Sequence, residues 1–211
     1  MGDEYGDLEE YCRPVHEVRV PDFHLGEYLV TQELWKAVMG NNPSYFQGNK
    51  RPVERISWDD IQQFVKKLNE VTKQMSGRGY RLPSEAEWEF AARGGIHQCE
   101  FRYSGSNKQK EVSWHHKNSY DETKSVGLKY PNELGLYDMS GNVWERCEDI
   151  WQEGYMGALD HSSAWMKGSD HNLRVVRGGS WINISFNSRV AYRYGFNSNT
   201  KDYDIGFRLA R

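Results

Sequence analysis

The sequence predicts the α+β fold class, built as one domain with much irregular backbone. Capped helix patterns occur only in the first half of the chain, before Gly95. After that residue, short apolar and aromatic pieces are separated by Gly, Asn, Asp and Ser, which is typical of short strands and tight turns. Helices followed by strands indicate an α+β arrangement. One core can cover 211 residues, and no Pro- or Ser-rich linker divides them.

The predicted helices are marked by residues that cap helix ends. Thr31 can cap a first helix, because its hydroxyl can accept a bond from a free N–H group of the first turn. Ser57 can cap a second helix, whose apolar residues recur at helical spacing through Val71. Ser84 opens an S-x-x-E capping box for a third helix. Residues 41–52, rich in Asn, Gly and Pro, are predicted to form a loop between the first two.

The predicted strands are short. Apolar and aromatic residues occur in three pieces, at 134–139, 142–145 and 177–181, and each is bounded by residues that favour turns. No internal repeat links these pieces. The second half is therefore expected to form short strands joined by tight turns.

Composition excludes several classes of function. With 27 basic and 30 acidic residues, the chain has a net charge of −3, which argues against a nucleic-acid-binding surface. Mean hydropathy is −0.86 and no apolar run is long enough to span a bilayer. The acidic first residues do not resemble a signal peptide. Membrane contact is expected only through an N-terminal lipid anchor that this chain lacks. Cys12, Cys99 and Cys147 are widely spaced and predict no disulfide framework.

Five segments carry a family resemblance. RLPSEAEWEFAARGG at 81–95 is similar to a long signature of formylglycine-generating-enzyme-like domains, the sulfatase-modifying factors. NELGLYDMSGNVWE at 132–145, RGGSW at 177–181 and IGFR at 205–208 follow in the family order, and VERISW at 53–58 fits an earlier motif. The resemblance implies a variant of the C-type lectin fold.

The same resemblance sets the expected domain limits and one metal site. It covers residues 20–211 and leaves 1–19 as an N-terminal extension. Many family members hold a structural Ca²⁺, whose ligands would correspond here to the Asp138 and Glu145 side chains and the Gly141 and Val143 carbonyls. Such hard oxygen ligands suit Ca²⁺. The open alternative is that both carboxylates only accept backbone hydrogen bonds in a tight turn. No other cofactor is expected.

The family's oxidase activity requires two cysteines that this chain does not have at the corresponding positions. In that enzyme they follow the GGS-aromatic motif and bind copper. Alignment without gaps from Gly178 places Asn183 and Ser188 there, and neither supplies a thiolate. The seven histidines show no HxxxH or HxH spacing that would suit the iron-dependent branch. We therefore expect no enzymatic activity. An oxygen-dependent metalloenzyme with displaced ligands remains the alternative.

Residues 182–204 have the composition of a binding surface. Four Asn, three Ser and three Tyr occur among these 23 residues. Tyr supplies rigid amphipathic area, and Ser and Asn supply adaptable polar contacts. Almost all residue types present can be reached from Asn codons by replacing adenines. Of the five common types that cannot be reached this way, Glu, Gln, Met, Trp and Lys, only Lys201 occurs.

This segment, between the constant blocks RVVRGGSW and IGFRLAR, resembles the variable region of proteins diversified by retroelements, such as those of treponemes. That resemblance implies a cell-surface lipoprotein whose diversified positions bind a macromolecular partner, expected to be a protein. The positions would be Ile182, Ile184, Phe186, Ser188, Tyr192, Tyr194, Gly195, Phe196, Asn197, Asp202, Tyr203 and Asp204. The residues Arg189, Val190, Ala191 and Arg193 would belong to the scaffold.

Two alternatives stay open for this segment. Ile182, Ile184 and Phe186 alternate with polar residues, as do Tyr192, Tyr194 and Phe196, and alternation is also typical of a half-buried strand. The aromatic residues could also form a fixed interface between subunits. Exposure of these side chains distinguishes a surface from a core strand.

Overall fold

A computed structural model describes residues 1–73, 79–168 and 170–211. The helices are α1 (Gln32–Met39), α2 (Trp58–Thr72), α3 (Glu85–Ala92) and α4 (Gln109–Val112). The strands are β1 (Ser113–Trp114), β2 (Ser140–Gly141), β3 (Trp144–Ile150), β4 (Leu173–Arg177), β5 (Arg193–Asn197) and β6 (Ile205–Gly206). Single 3₁₀ turns occur at Glu10–Cys12, Gly95–His97 and Ser185–Ser188. The α+β prediction is confirmed, and much of the backbone between these elements is irregular.

The three longer helices begin at the predicted capping residues. The Thr31 hydroxyl accepts the amide of Leu34 at 3.3 Å, and Ser57 and Ser84 each form a reciprocal capping box. Helix α2 buries the first four members of its apolar stripe. Val71, the predicted fifth member, is 80% exposed, because the last turn of α2 extends beyond the core it packs against. The local hydrogen bonds that start a helix were therefore predictable, whereas the extent of its packing was not.

Four strands form the main sheet in the order β5-β4-β3-β6. Strands β4 and β5 pair antiparallel, with Val176 opposite Tyr194 and Arg177 opposite Arg193. Strand β6 pairs with β3 in parallel, so the chain must leave the sheet after β5 and return along its other side. Strands β1 and β2 form a separate parallel pair. This topology places β5 at a sheet edge and leaves residues 198–204 to connect the two edges.

Three groups of buried residues form the core. The first lies between α1 and α2, where Trp35 stacks on Phe64 with ring centroids 5.1 Å apart. The second joins α3 to β3 and β4 around Trp88. The third lies against β3 and β4 and includes Leu8 and Cys12. Residues of the predicted N-terminal extension therefore pack into the domain.

Buried ion pairs connect α3 to the sheet. Arg177 donates to Glu89 at 2.6 Å and to Glu85 at 3.0 Å, and Arg193 also donates to Glu85, at 2.7 Å. Both arginines are fully buried. A buried guanidinium is tolerated when its charge and most of its N–H groups are matched in this way, although Nε of Arg177 has no partner among the described residues. No helix in the described part of the chain is long and apolar enough to cross a membrane.

Candidate ligand-binding surface

The segment 182–204 is anchored to the rest of the domain through main-chain atoms. The amides of Trp58, Arg55 and Trp144 donate to the carbonyls of residues 198, 202 and 204, at 2.8 to 2.9 Å. Arg146 donates from one Nη to the carbonyls of Asn197 and Thr200, at 3.1 and 2.9 Å. These bonds hold the backbone of the segment at five carbonyl groups and do not depend on which side chains those residues carry.

Most of the predicted contact residues lie at the surface. Ile182, Ile184, Tyr194 and Tyr203 are 45%, 56%, 43% and 41% exposed, which is high for large apolar or aromatic side chains. Asn197 is also exposed, and four further positions are partly exposed, namely Phe186, Gly195, Phe196 and Asp202. Nine of the twelve predicted positions therefore have accessible area.

Strand β5 is not a core strand with its aromatic residues turned inward. At the start of β5, Arg193 is fully buried, whereas the two aromatic residues of the strand, Tyr194 and Phe196, are 43% exposed and partly exposed, respectively. The inward face of β5 is occupied by a guanidinium because Glu85, on α3, is there to pair with it. Alternating aromatics on β5 therefore line the outer face of the sheet edge.

Three of the predicted contact residues are buried and do not contribute to the surface. Ser188 is fully buried, and its carbonyl accepts a bond from Ser140. Tyr192 is 6% exposed, and its hydroxyl lies 3.0 Å from that of Tyr11. Asp204 is 7% exposed and accepts from the Ser180 hydroxyl at 2.8 Å, and burial raises the pKa of Asp204 to about 6. These three side chains pack inside the domain, on the buried side of the segment.

Gly195 is restricted by its neighbour Trp151. A Cβ atom built on Gly195 would lie 2.7 Å from the Trp151 ring, which is closer than two carbon atoms can approach. Any other residue at this position requires the indole ring to move. The contribution of Gly195 to the surface is therefore that of its backbone.

Two residues outside the segment extend this surface, and they were missed from the sequence. Tyr45, in the loop 41–52, is 64% exposed, and its ring centroid lies 6.2 Å from that of Tyr203. Phe46 packs edge-on against Trp181 at 5.4 Å and lies 6.3 Å from Tyr203. Two adjacent aromatic residues in an otherwise polar loop were the only available signal. We call Tyr45, Phe46, Trp181 and Tyr203 the aromatic cluster.

Buried polar groups hold the loop that carries Tyr45 and Phe46. The carboxylate of Glu54 accepts the amide of Phe46 at 2.8 Å, and Gln32 donates to the carbonyl of Phe46 at 2.7 Å. Both Glu54 and Gln32 are almost fully buried. Burial raises the pKa of Glu54 to about 7. The loop therefore presents Tyr45 in a defined position.

The residues predicted as calcium ligands do not fit a Ca²⁺ ion as they are arranged. Both oxygens of Glu145 accept bonds from Arg208, at 2.7 and 2.9 Å, and one also accepts from Trp88. A guanidinium bound across a carboxylate uses the lone pairs that a cation would need, and it repels that cation. No group of three or more His, Cys, Asp or Glu side chains in the described residues could hold a metal ion.

Asp138 has one partner outside its own turn and one within it. One oxygen accepts the amide of Gly127 at 2.9 Å, and the other lies 3.4 Å from the side-chain nitrogen of Asn142. The amide of Gly141 donates to Gly178 at 2.7 Å, and Val143 is fully buried beside it. Asp138 thus accepts a backbone bond from a residue 11 positions earlier in the chain, and Glu145 bonds to side chains, so neither carboxylate bonds only to backbone amides of a tight turn.

The positions that correspond to the two cysteines of the oxidase are built into a turn. Asn183 accepts the amide and the hydroxyl of Ser180, at 2.9 and 2.7 Å, and Ser188 is fully buried. Cys147 is fully buried in β3, and burial raises its pKa well above the usual value for a thiol. Burial also raises the pKa of Cys12, to about 11. Neither buried thiol forms a thiolate readily.

Comparisons with known proteins show one family along the whole chain. The profile of the sulfatase-modifying factor enzyme 1-like domain matches residues 1–211, including the first 19. Chaperone protein LppX of Paenibacillus barcinonensis is 34% identical, over 92% of this chain and 81% of that protein. Formylglycine-generating enzyme of Thermomonospora curvata is 31% identical, over 83% of this chain and 60% of that enzyme. Inactive C-alpha-formylglycine-generating enzyme 2 of Bos taurus is 28% identical over 86% of this chain. The relatives thus include both an enzyme and an inactive protein.

Solved structures share the fold. Treponema denticola variable protein 1 superposes with a TM-score of 0.86 at 32% identity, covering 99% of this chain and 90% of that one. PvdO from Pseudomonas aeruginosa gives 0.84 at 27% identity, covering 100% and 89%. The U1 variant of Major Tropism Determinant gives 0.52 at 14% identity, covering 89% and 50%, which supports the fold alone. The structure is the formylglycine-generating-enzyme-like variant of the C-type lectin fold.

Proposed function

The chain belongs to the sulfatase-modifying factor enzyme 1-like domain family, and we propose that it is a non-catalytic, ligand-binding member of that family. Its segment 182–204 forms a diversified surface that binds a macromolecular partner, which we take to be a protein. A binder of this kind meets its partners at the cell surface, held there by a lipid anchor. It needs no cofactor.

One observation carries this proposal: main-chain atoms anchor the segment, while its large side chains are exposed. Ile182, Ile184, Tyr194 and Tyr203 expose large side chains, while bonds to main-chain carbonyls hold the segment in place. Such bonds form whatever side chain is attached. Residues can therefore change at these positions without loss of the fold. Exposed aromatic residues on a fixed backbone also provide the rigid anchors that dominate protein interfaces.

Two further observations support the proposal. The similarity to Treponema denticola variable protein 1 extends over almost all of both chains. The two positions that would carry the copper-binding cysteines hold Asn183 and Ser188, and both take part in structural contacts. The competing function is that of an oxygen-dependent metalloenzyme, which is considered because the chain is related to a formylglycine-generating enzyme.

DNA sequencing around the encoding gene tests diversification. We expect a nearby imperfect repeat of the last codons that differs from the gene only where the repeat has adenines, together with a reverse-transcriptase gene. Substitutions should concentrate at the exposed positions of 182–204 and spare Arg193. A locus with neither element would remove the proposed diversification.

A display library tests binding directly. The exposed positions are randomised among the residue types found in the segment, and the library is selected against several unrelated folded proteins such as lysozyme. We expect folded binders whose affinity depends on the randomised positions. Absence of binders, together with stoichiometric copper uptake and oxygen consumption by the purified protein, would instead support the enzyme.

A further inference from the structure

The aromatic cluster forms an open, electron-rich face at one end of the proposed surface. The rings of Tyr45 and Tyr203 are tilted by 45° with centroids 6.2 Å apart, and Trp181 lies 5.7 Å from Tyr203. Tyr45 and Tyr203 are 64% and 41% exposed, whereas Trp181 is buried beneath them. The buried indole and Phe46 support the two tyrosines, so their faces are held toward solvent.

The chain itself places no cation on this cluster. Nine contacts between a cation and an aromatic face occur among the described residues, and none involves a ring of the cluster. The neighbouring Lys201 is bound to Asp60 at 2.7 Å. Arg55 is exposed and forms no ion pair within 4 Å in the described part of the chain.

Carboxyl groups accumulate around the same rings. Asp202 is partly exposed, and its carboxylate accepts the amide of Tyr203 at 2.8 Å but has no cationic partner among the described residues. Glu54 is fully buried below Phe46, and its second oxygen has no hydrogen-bond partner there. Burial is the main cause of the raised pKa of Glu54 and of Asp204, and the charge of Asp202 adds to it in both, whereas Arg55 acts to lower the pKa of Glu54.

We propose that the aromatic cluster and Asp202 form a binding site for the guanidinium or ammonium group of an arginine or lysine side chain on the protein partner. Aromatic faces attract organic cations, and a nearby carboxylate adds a charge-assisted hydrogen bond. Protein surfaces present such side chains on long, flexible stems that can reach between two tyrosine rings.

This site deepens the proposed function and rests on it. Tyr45 lies outside the diversified segment, while Asp202 and Tyr203 lie within it. The constant loop therefore supplies one aromatic face in every variant. Replacement of Asp202 or Tyr203 would change the preference of the site from a cation to another group. These two positions determine specificity for charge at this end of the surface.

Small model compounds test the site without knowledge of the partner. Protein with ¹³C-labelled tyrosine rings is titrated with Nα-acetyl-arginine methylamide and, as a matched uncharged control, Nα-acetyl-citrulline methylamide. We expect saturable NMR shifts of the Tyr45 and Tyr203 ring signals with the arginine compound, weakening as salt increases. Tyr45→Ala and Asp202→Asn should each weaken binding by about threefold to tenfold. Tyr130→Ala, at an exposed position outside the cluster, should leave it unchanged.

Two results would overturn the inference. One is equal shifts with the citrulline compound, which would mean that the rings bind apolar groups without preference for charge. The other is the absence of saturable shifts with either compound. Library selection distinguishes this failure from that of the proposed function. Selected binders whose affinity is unchanged by Tyr45→Ala and Asp202→Asn would contradict the cation site but support the diversified surface.

Discussion

Replacement of Arg146 by Met should change the stability of the protein by no more than about 2 kcal/mol, although Arg146 is fully buried. Arg177, Arg193 and Arg208 are also fully buried, and each binds a glutamate. Arg146 has no carboxylate within ion-pair distance among the described residues, and its Nε and one Nη lack hydrogen-bond partners. Burial lowers the pKa of Arg146 to about 10, with Arg174 adding to the effect.

The magnitude follows from the contacts that change. Arg146→Met loses two hydrogen bonds to carbonyls, at about 1.5 to 3 kcal/mol each for a charged donor. It also relieves the desolvation of an unpaired guanidinium, which is several kcal/mol, and removes N–H groups that lack acceptors. These contributions are of similar size and opposite sign. We expect a net change within about 2 kcal/mol, since Met fills a comparable apolar volume.

Arg208→Met is the matched control. Arg208 binds both oxygens of the fully buried Glu145, so its removal leaves that carboxylate without its cation. Breaking a buried pair in this way costs about 3 to 5 kcal/mol. For a chain of this size, each kcal/mol shifts the melting temperature by about 2 to 4 °C. The control should therefore melt roughly 10 °C below the wild type.

Calorimetry and hydrogen exchange together check this prediction. Arg146→Met should melt within about 8 °C of the wild type, while amides of residues 197–204 exchange faster because two anchoring bonds to their turn are lost. Destabilisation of Arg146→Met as large as that of Arg208→Met would refute the reasoning. It would mean that the guanidinium has a strong partner, such as a bound anion.

Three further predictions follow from the site. Glu54→Gln should stabilise the protein progressively relative to the wild type from pH 5 to pH 8, by up to roughly 3 kcal/mol. The reason is that the pKa of Glu54 is about 7 in the folded protein against 4.5 in the unfolded chain, so the wild type loses stability as pH rises through this window. Denaturation at several pH values measures the difference, and a difference that does not change with pH would contradict the prediction. Gly195→Ala should destabilise the folded protein by about 1 to 3 kcal/mol, because the added methyl group would contact Trp151. In a double-mutant cycle, combining it with Trp151→Ala should recover part of that loss, and strictly additive effects of the two substitutions would disprove the prediction. Among the three cysteines, Cys99 alone should react rapidly with a thiol reagent under native conditions, since Cys12 and Cys147 are fully buried; fast reaction of Cys147 would show that β3 opens.

Much of the proposed site could be predicted from the sequence because its evidence is compositional. The residue types between 182 and 204 indicated a surface, and nine of the twelve positions have accessible area. Ser188, Tyr192 and Asp204 could not be told apart from these nine by residue type. Their burial depends on Ser140, Tyr11 and Ser180, which are distant in sequence.

The sequence by itself determined the helix starts and the family fold. Thr31, Ser57 and Ser84 cap helices through bonds to residues three positions away, so the signal lies within one turn of chain. Tertiary structure alone decided which groups meet across the fold. It paired Glu145 with Arg208, 63 residues away, and thereby removed a predicted calcium ligand. It also brought Tyr45 beside Tyr203, because packing brings together residues whose separation along the chain carries no local signal.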